Sequence, residues 1–347
     1  TLPTETVKLA LTELLKKDLK DIRYDPADYE SVDMPTLGAK NGVKLYDMIG
    51  LDYNDPKWDE LLDQMTFDEM NSLIGDAFHW TMPVKSVEAP GTRDENGPQG
   101  LTASLLGNDK SQLTATAFTS EDVMAATFNT EIMTEIGKVI GNNCLEADIA
   151  CLYGPGNNIH RTPYGGRNFE YYSEDGFISG HIGGSAIEGI QATGTNVTAK
   201  HAALNDGDTN RGGNTTWANE QAIREIYLKT YEIACEDYGC NGMMGSLNRI
   251  GMTWFHYGMY KTIMRDEWGW QGLLITDGDG MGGDAYNTPV AMLCVNGNML
   301  SRSLYIDARA TVAAYGDATD YVYGRYMLHN NIRNALYQYA STLNNAE

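Results

Sequence analysis

GPGNNIHRTPYGGRNFEYYSED, residues 154–175, follows directly on the acidic-apolar run Asp148–Tyr153 and leads into a helical pattern over residues 174–192. Dense in Gly, Pro and Asn, it carries neither the helical nor the strand period, so it reads as a long irregular connection. It holds Arg161, Arg167 and Glu170 among aromatic rings. Planar guanidinium groups donate hydrogen bonds from fixed directions and suit a hydroxyl-rich molecule. Phe169, Tyr171 and Tyr172 are expected to present ring faces to its apolar side. An ordinary surface loop is the other reading of the same composition.

Outward from this stretch, the chain from residue 75 alternates apolar runs with helical patterns. The runs are Ile149–Tyr153, Asn196–Ala199, Gly242–Gly245, Gly272–Thr276 and Val290–Val295. The helical patterns cover 120–142, 174–192, 219–238 and 257–268. Such alternation is the mark of βα units, and it predicts an α/β fold, a TIM-type (β/α)8 barrel with some irregularity. A doubly wound parallel sheet is the alternative. Arg167 follows the first run, Lys200 and His201 the second, Asn248 the third and Asp277 the fourth. In a barrel these strand ends open on one rim, where functional sites gather.

At 347 residues with 42% apolar content the chain can bury a large core. The simplest division is an N-terminal linker helix and arm over 1–57 and one barrel unit over 58–347. Residues 5–23 have helical amphipathic spacing, and 24–57 read as a surface arm rich in Asp, Pro, Gly and Tyr. Residues 59–74 read as helical, with Thr66 and Glu69 in a capping-box pattern. Residues 317–343 read as a further helix on the core. The opening Thr-Leu-Pro-Thr suggests a processed or truncated start. A net charge of −22 repels phosphate backbones, so no nucleic acid is expected as a partner. No apolar run approaches the roughly 18 residues of a membrane span, so no membrane partner is expected either.

Five cysteines, with only Cys235 and Cys240 close together, predict buried thiols and neither a zinc ribbon nor a disulfide framework. Asp206-Gly207-Asp208-Thr209-Asn210 begins like a calcium loop, but Gly212 comes one place late and the twelfth position is Trp217. Gly245-Ser246-Leu247-Asn248 is not a serine-hydrolase elbow, and the histidines form no zinc-binding helix pair. No metal and no cofactor are expected.

The 154–175 stretch resembles the signature loop of the family 3 glycoside hydrolases, the β-glucosidase group. The similarity continues in order through Gly97-Pro98-Gln99-Gly100, Lys200-His201-Ala202-Ala203-Leu204-Asn205, Thr209-Asn210-Arg211 and Ile223–Leu228. It extends through Met244–Asn248, Asp266-Glu267-Trp268-Gly269 and Ile275-Thr276-Asp277. The resemblance implies a retaining, exo-acting β-glycosidase that hydrolyses terminal β-linked sugars. In that reading Asp277 is the nucleophile, with Asp279 as its neighbouring fallback. Arg167, Lys200 and His201 would bind the carbohydrate substrate, with Asn96, Asn205, Arg211 and Leu247 around them.

Three positions depart from the family pattern: Asn96 stands in place of an Asp, Leu247 in place of a Tyr, and Gly278 in place of a Trp. They imply an altered sugar preference or weakened catalysis, and a catalytically reduced sugar-binding barrel is the alternative function. Members with two domains carry the general acid/base on an α/β sandwich domain, for which this chain has no room. Single-domain relatives use a His where Asn205 stands. The resemblance therefore implies a companion domain or chain that supplies the acid.

Overall fold

Strand β2 (Thr92–Asn96) lies parallel to β3 (Cys151–Tyr153), which lies parallel to β4 (Asn196–Val197). The chain continues from β4 into β5 (Ala199–Ala202), which is parallel to β7 (Gly242–Gly245), and β7 is parallel to β9 (Leu273–Ile275). A bridge between Gly156 and Lys200 ties the end of β3 to β5. The structure is a computed structural model that describes residues 35–76, 79–102, 115–209, 211, 215–251 and 256–278, with Leu336 and Ala340. In this arc each strand lies beside its predecessor in sequence. A doubly wound sheet instead reverses its order at a switch point. The chain is an α/β protein of the TIM-barrel type.

Helices fill the intervals. Between β2 and β3 run α3 (Glu121–Ala125) and α4 (Thr130–Glu146); between β3 and β4 runs α5 (Gly176–Gln191). A π-helical turn, Ile223–Tyr227, leads into α6 (Lys229–Glu236) before β7, and a π-helix, Gly258–Glu267, precedes β9. The single helix expected over 120–142 breaks in two. Phe128 takes a left-handed φ of 50°, and Asn129 restarts the chain as an N-cap, accepting from the Ile132 amide at 3.0 Å. Earlier, α1 (Lys57–Leu62) precedes α2 (Phe67–Gly75), whose Thr66 and Glu69 form the expected capping box.

Four short strands escape the apolar-run criterion. In β2 the sequence TRDEN places Asp94 and Glu95 inside, so polarity hid the strand. Trp80–Thr81 (β1) pairs antiparallel with β2, and β6 (Thr215–Thr216) pairs with β8 (Arg249–Ile250) beyond the ends of β5 and β7. The stretch expected to be a surface arm reaches the core at Val43, Leu45 and Met48, which join Leu61 and Leu62 there. Cys144, Cys151 and Cys240 are buried free thiols and Cys235 is half-buried. The helix expected over 5–23, the run 290–295, most of the helix expected over 317–343, Cys294, Asn210 and Asp279 lie outside the described residues. Leu336 and Ala340, from that last helix, are buried in the core.

The crossing of α4 on α5 is set by two glycines. A β-carbon on Gly137 would stand 2.3 Å from the Ala186 carbonyl oxygen, and one on Gly189 would stand 2.1 Å from that of Thr134. Backbone meets backbone there, and an added methyl has nowhere to go. Gly189→Ala is expected to destabilise the fold by about 1–3 kcal/mol, the usual range for overpacking. The loss is read as a lower urea midpoint with an unchanged m-value.

Candidate active site

Four strand ends build the site. Asn96 closes β2, the 154–175 loop follows β3, Lys200 and His201 lie within β5, and Asp277 follows β9 by two residues. The loop is stitched to β5 by its backbone: the Lys200 amide donates to the Pro155 carbonyl at 2.9 Å, and the Asn157 amide donates to the Lys200 carbonyl at 2.7 Å. The root of the loop is pinched. A β-carbon on Gly156 would fall 1.6 Å from the Glu170 carbonyl oxygen and 2.6 Å from Glu121 Oε2, so only glycine fits.

Side chains converge across this frame. Lys200 Nζ donates to Asn96 Oδ1 at 3.1 Å and lies 3.8 Å from Glu170 Oε2. Arg167 Nε donates to Glu170 Oε1, so one carboxylate faces two cations. His201 Nε2 stands 3.4 Å from Asp277 Oδ2, within ion-pair range but without the alignment of a hydrogen bond. Asp277 Oδ1 accepts from the Gly278 amide at 2.6 Å. Behind the histidine, Tyr171 Oη contacts His201 Nδ1 at 2.9 Å and accepts from Asn205 Nδ2 at 2.8 Å.

Burial pushes Lys200 below the ordinary lysine value; Glu170 opposes that and Arg167 reinforces it, while Asp277 also favours the charge. Burial, with Arg167, Lys200 and Arg211 nearby, drives His201 well below the usual histidine value, so its ring is neutral. Burial also works against the charge on Arg167, yet Tyr171, Glu170 and Asp277 together hold that guanidinium above its usual value. Arg167, Lys200 and His201 are thus gathered around Asp277, whose side chain keeps 16% of its surface exposed.

The remaining residues singled out in the sequence are placed less directly. Asn205 is buried behind Tyr171, and Arg211 pairs with Asp208 at 3.0 Å. Leu247 is buried on the turn after β7. Asn248 is buried too and donates to the Ala203 carbonyl, so it holds backbone and is no part of the cluster. Tyr171 and Tyr172 are 1% and 3% exposed, which denies them the expected role of ring platforms; Phe169 alone of the three is open. Arg161 is drawn away to Asp206 at 2.8 Å.

Sequence reasoning missed the buried acids. Glu121 has no exposed surface; both its oxygens lie 3.1 Å from the Gly156 amide, and its carboxyl hydrogen-bonds Tyr172. Burial first, then the charge of Glu170, push it well above the usual carboxylate value. Nothing in the sequence marks it beyond an acid in the first turn of a helix. Asp94 lies inside β2 with Tyr153 Oη 3.4 Å from its Oδ2, and Glu95 faces His79 at 3.6 Å. Burial raises the Asp94 carboxyl to about 7, with Tyr153 pulling weakly the other way.

Residues 101–294 match the model of the glycosyl hydrolase family 3 N-terminal domain. The chain is 32% identical over 234 residues to beta-glucosidase A of Butyrivibrio fibrisolvens, covering 65% of this chain and 28% of that enzyme. It is 32% identical over 222 residues to an exo-alpha-(1->6)-L-arabinopyranosidase of Bifidobacterium breve, covering 61% of this chain and 29% of that one. Among solved structures, beta-glucosidase 3B from Thermotoga neapolitana in complex with alpha-D-glucose superposes with a TM-score of 0.70 at 30% identity. That match covers 80% of this chain and 42% of the other. The chain thus spans less than a third of the length of these two curated relatives.

The buried acid in β2 has a measurable signature. Burial pushes the folded Asp94 carboxyl up to about 7, against about 3.9 for an unfolded Asp. Between these values the native state holds a proton that the unfolded chain has released, so stability falls as pH rises through the window and levels off above it. The loss from this one group is on the order of 4 kcal/mol. Asp94→Asn is expected to remove that slope. Urea unfolding of both proteins from pH 4 to pH 8 checks it, with the variant gaining on the parent as pH rises.

Proposed function

This chain belongs to glycosyl hydrolase family 3, and we propose that it carries the nucleophile of a retaining, exo-acting, β-glucosidase-like glycosidase that releases terminal β-linked sugars. The observation that carries this reading is the placement of Asp277. Its carboxyl sits at the strand-end mouth, 3.4 Å from a neutral imidazole and within the electrostatic reach of buried Lys200 and half-buried Arg167.

Oδ1 is occupied by the Gly278 amide, which leaves Oδ2 as the oxygen that attacks the anomeric carbon. The bond from that carbon to the leaving oxygen breaks as the Oδ2 bond forms, and water later hydrolyses the resulting glycosyl ester. Lys200, Arg167, His201 and Asn96 are the groups that hold the sugar's hydroxyls, with Asn205 and Arg211 behind them. Their donors are fixed before the substrate arrives, which lowers the reorganisation needed at the reacting centre.

A retaining mechanism needs a second carboxyl about 5 Å from the first to protonate the leaving group. Glu170, the acid beside the cluster, is committed to Arg167 and Lys200. Among the described residues Glu121 is wholly buried as well, and we assign the acid to a companion domain or chain. That reading accords with the short span of this chain against its relatives. In this scheme the barrel unit runs over 58–347, and the end of the stretch before it packs on that unit through Val43, Leu45 and Met48.

Asn96 and Leu247, standing where the family pattern has an Asp and a Tyr, favour a second reading, a sugar-binding barrel with reduced catalysis. A 2-deoxy-2-fluoro-glucoside with a dinitrophenolate leaving group separates the two, because that leaving group departs without a proton. Mass spectrometry is expected to find one sugar ester, on the peptide carrying Asp277. Reversible binding without the ester would favour the second reading. Asp277→Asn is expected to abolish labelling and to lower kcat/KM for the aryl glycoside by about a thousandfold or more.

A further inference from the structure

The hydrogen bonds behind His201 form a directed chain. Asn205 is locked in place: its amide donates to Asn158 Oδ1 at 2.9 Å and its carbonyl accepts from Asn158 Nδ2 at 3.3 Å. Its side-chain Nδ2 donates to Tyr171 Oη at 2.8 Å, and Tyr171 Oη meets His201 Nδ1 at 2.9 Å. The Tyr171 ring stands edge-on to the imidazole, at 82° and 6.0 Å between centroids. The Tyr171 carbonyl is in turn bound by His160 Nε2 at 2.7 Å. Asn205, Tyr171 and His201 are all buried, so each meets the others in place of bulk water.

Two proton orders are compatible with the distances along this chain. In one, Asn205 donates to Tyr171, Tyr171 donates to Nδ1, and the imidazole proton sits on Nε2. In the other, Nδ1 carries the proton and donates to Tyr171, leaving a bare Nε2. The far end decides between them. Nε2 faces Asp277 Oδ2, 3.4 Å away, and an ionised carboxylate only accepts. A bare Nε2 there would bring a second acceptor to 3.4 Å from a carboxylate oxygen that finds no donor among the described residues. A doubly protonated ring would satisfy both ends, but Arg167, Lys200 and Arg211 already crowd the buried site with positive charge.

We propose that Tyr171 and Asn205 are positioning residues that act through His201, holding its imidazole in the Nε2–H form with the proton aimed at Asp277. The inference rests on Asp277 serving as the nucleophile of the proposed reaction. The relay holds the Nε2–H on the side of Oδ2, 3.4 Å away, as a donor for a substrate hydroxyl that enters between them. It also caps the basic nitrogen of the ring with a buried phenol, which removes His201 from the candidates for general acid/base.

Nitrogen-15 NMR of the full chain, with labelled histidine and the His201 signals identified by their loss in His201→Gln, reads the proton position directly. The expected result at pH 7 is a protonated Nε2 and an unprotonated, hydrogen-bonded Nδ1. A protonated Nδ1 overturns the proposal without any variant. In Tyr171→Phe the Nδ1 resonance is expected to move to that of an unbonded nitrogen, and kcat/KM for the aryl glycoside to fall about tenfold or more. An unmoved Nδ1 resonance with unchanged kcat/KM overturns it as well. Should Tyr171→Phe fail to fold, the parent spectrum decides alone. Because the spectrum does not depend on turnover, absent labelling of Asp277 with a protonated Nε2 sinks the catalytic reading and leaves the proton order standing. Labelling with a protonated Nδ1 does the reverse.

Discussion

A single carboxylate, Glu170, lets buried Lys200 and half-buried Arg167 share one site. Taking two like charges out of water is prohibitive unless an anion shares the site and the hydrogen bonds are met. Glu170 meets both conditions, with one oxygen toward each cation. It can do so because the 154–175 loop folds back over β5, its Pro155 carbonyl accepting from the Lys200 amide and its Asn157 amide donating to the Lys200 carbonyl. Remove that stitching and the cations would separate toward solvent, where guanidinium and ammonium groups are flexible and individually weak binders. The loop, β5 and Glu170 therefore act as one unit, and Asp277 meets it from the end of β9, two strands away through β7.

The barrel's contribution is to make these distances insensitive to any one loop. Parallel strands in sequence order place Asn96, the 154–175 loop, Lys200 and Asp277 at neighbouring ends, although they are far apart along the chain. The glycines where α4 crosses α5 bring the two helix backbones into direct contact, which keeps the outer layer closely packed. Rigidity outside and irregular backbone at the rim is the division of labour that such folds use for binding and catalysis.

Much of this was legible before any coordinates. Short apolar runs alternating with helical periods marked β3, β4, β7 and β9, and the residues just beyond three of those runs, Arg167, Lys200 with His201, and Asp277, are the ones the fold assembles. Asn248 followed the same rule and failed it, because position after a strand does not say which way a side chain turns. Strand β2 stayed hidden because its inward residues are Asp94 and Glu95, and polarity is read as exposure. Tyr171 and Tyr172 misled for the opposite reason: among the loop's polar and exposed residues, their hydroxyls are used inside, toward His201 and Glu121, while their rings fill space. Whether an aromatic ring serves as a platform or a strut depends on partners distant in sequence, such as Asn205 and Glu121, and no local pattern encodes them.

The pinch at Gly156 divides the loop into two evolutionary regimes. At its root, a methyl group would collide with main chain, so a side chain there is barred whatever the loop binds. At its tip, Tyr164 is almost wholly in solvent and Phe169 half so, with no packing to defend. Lineages exploring new glycosides would therefore vary the tip freely while the hinge stays frozen, and a library confined to residues 162–169 that spares Arg167 would sample that same freedom in the laboratory.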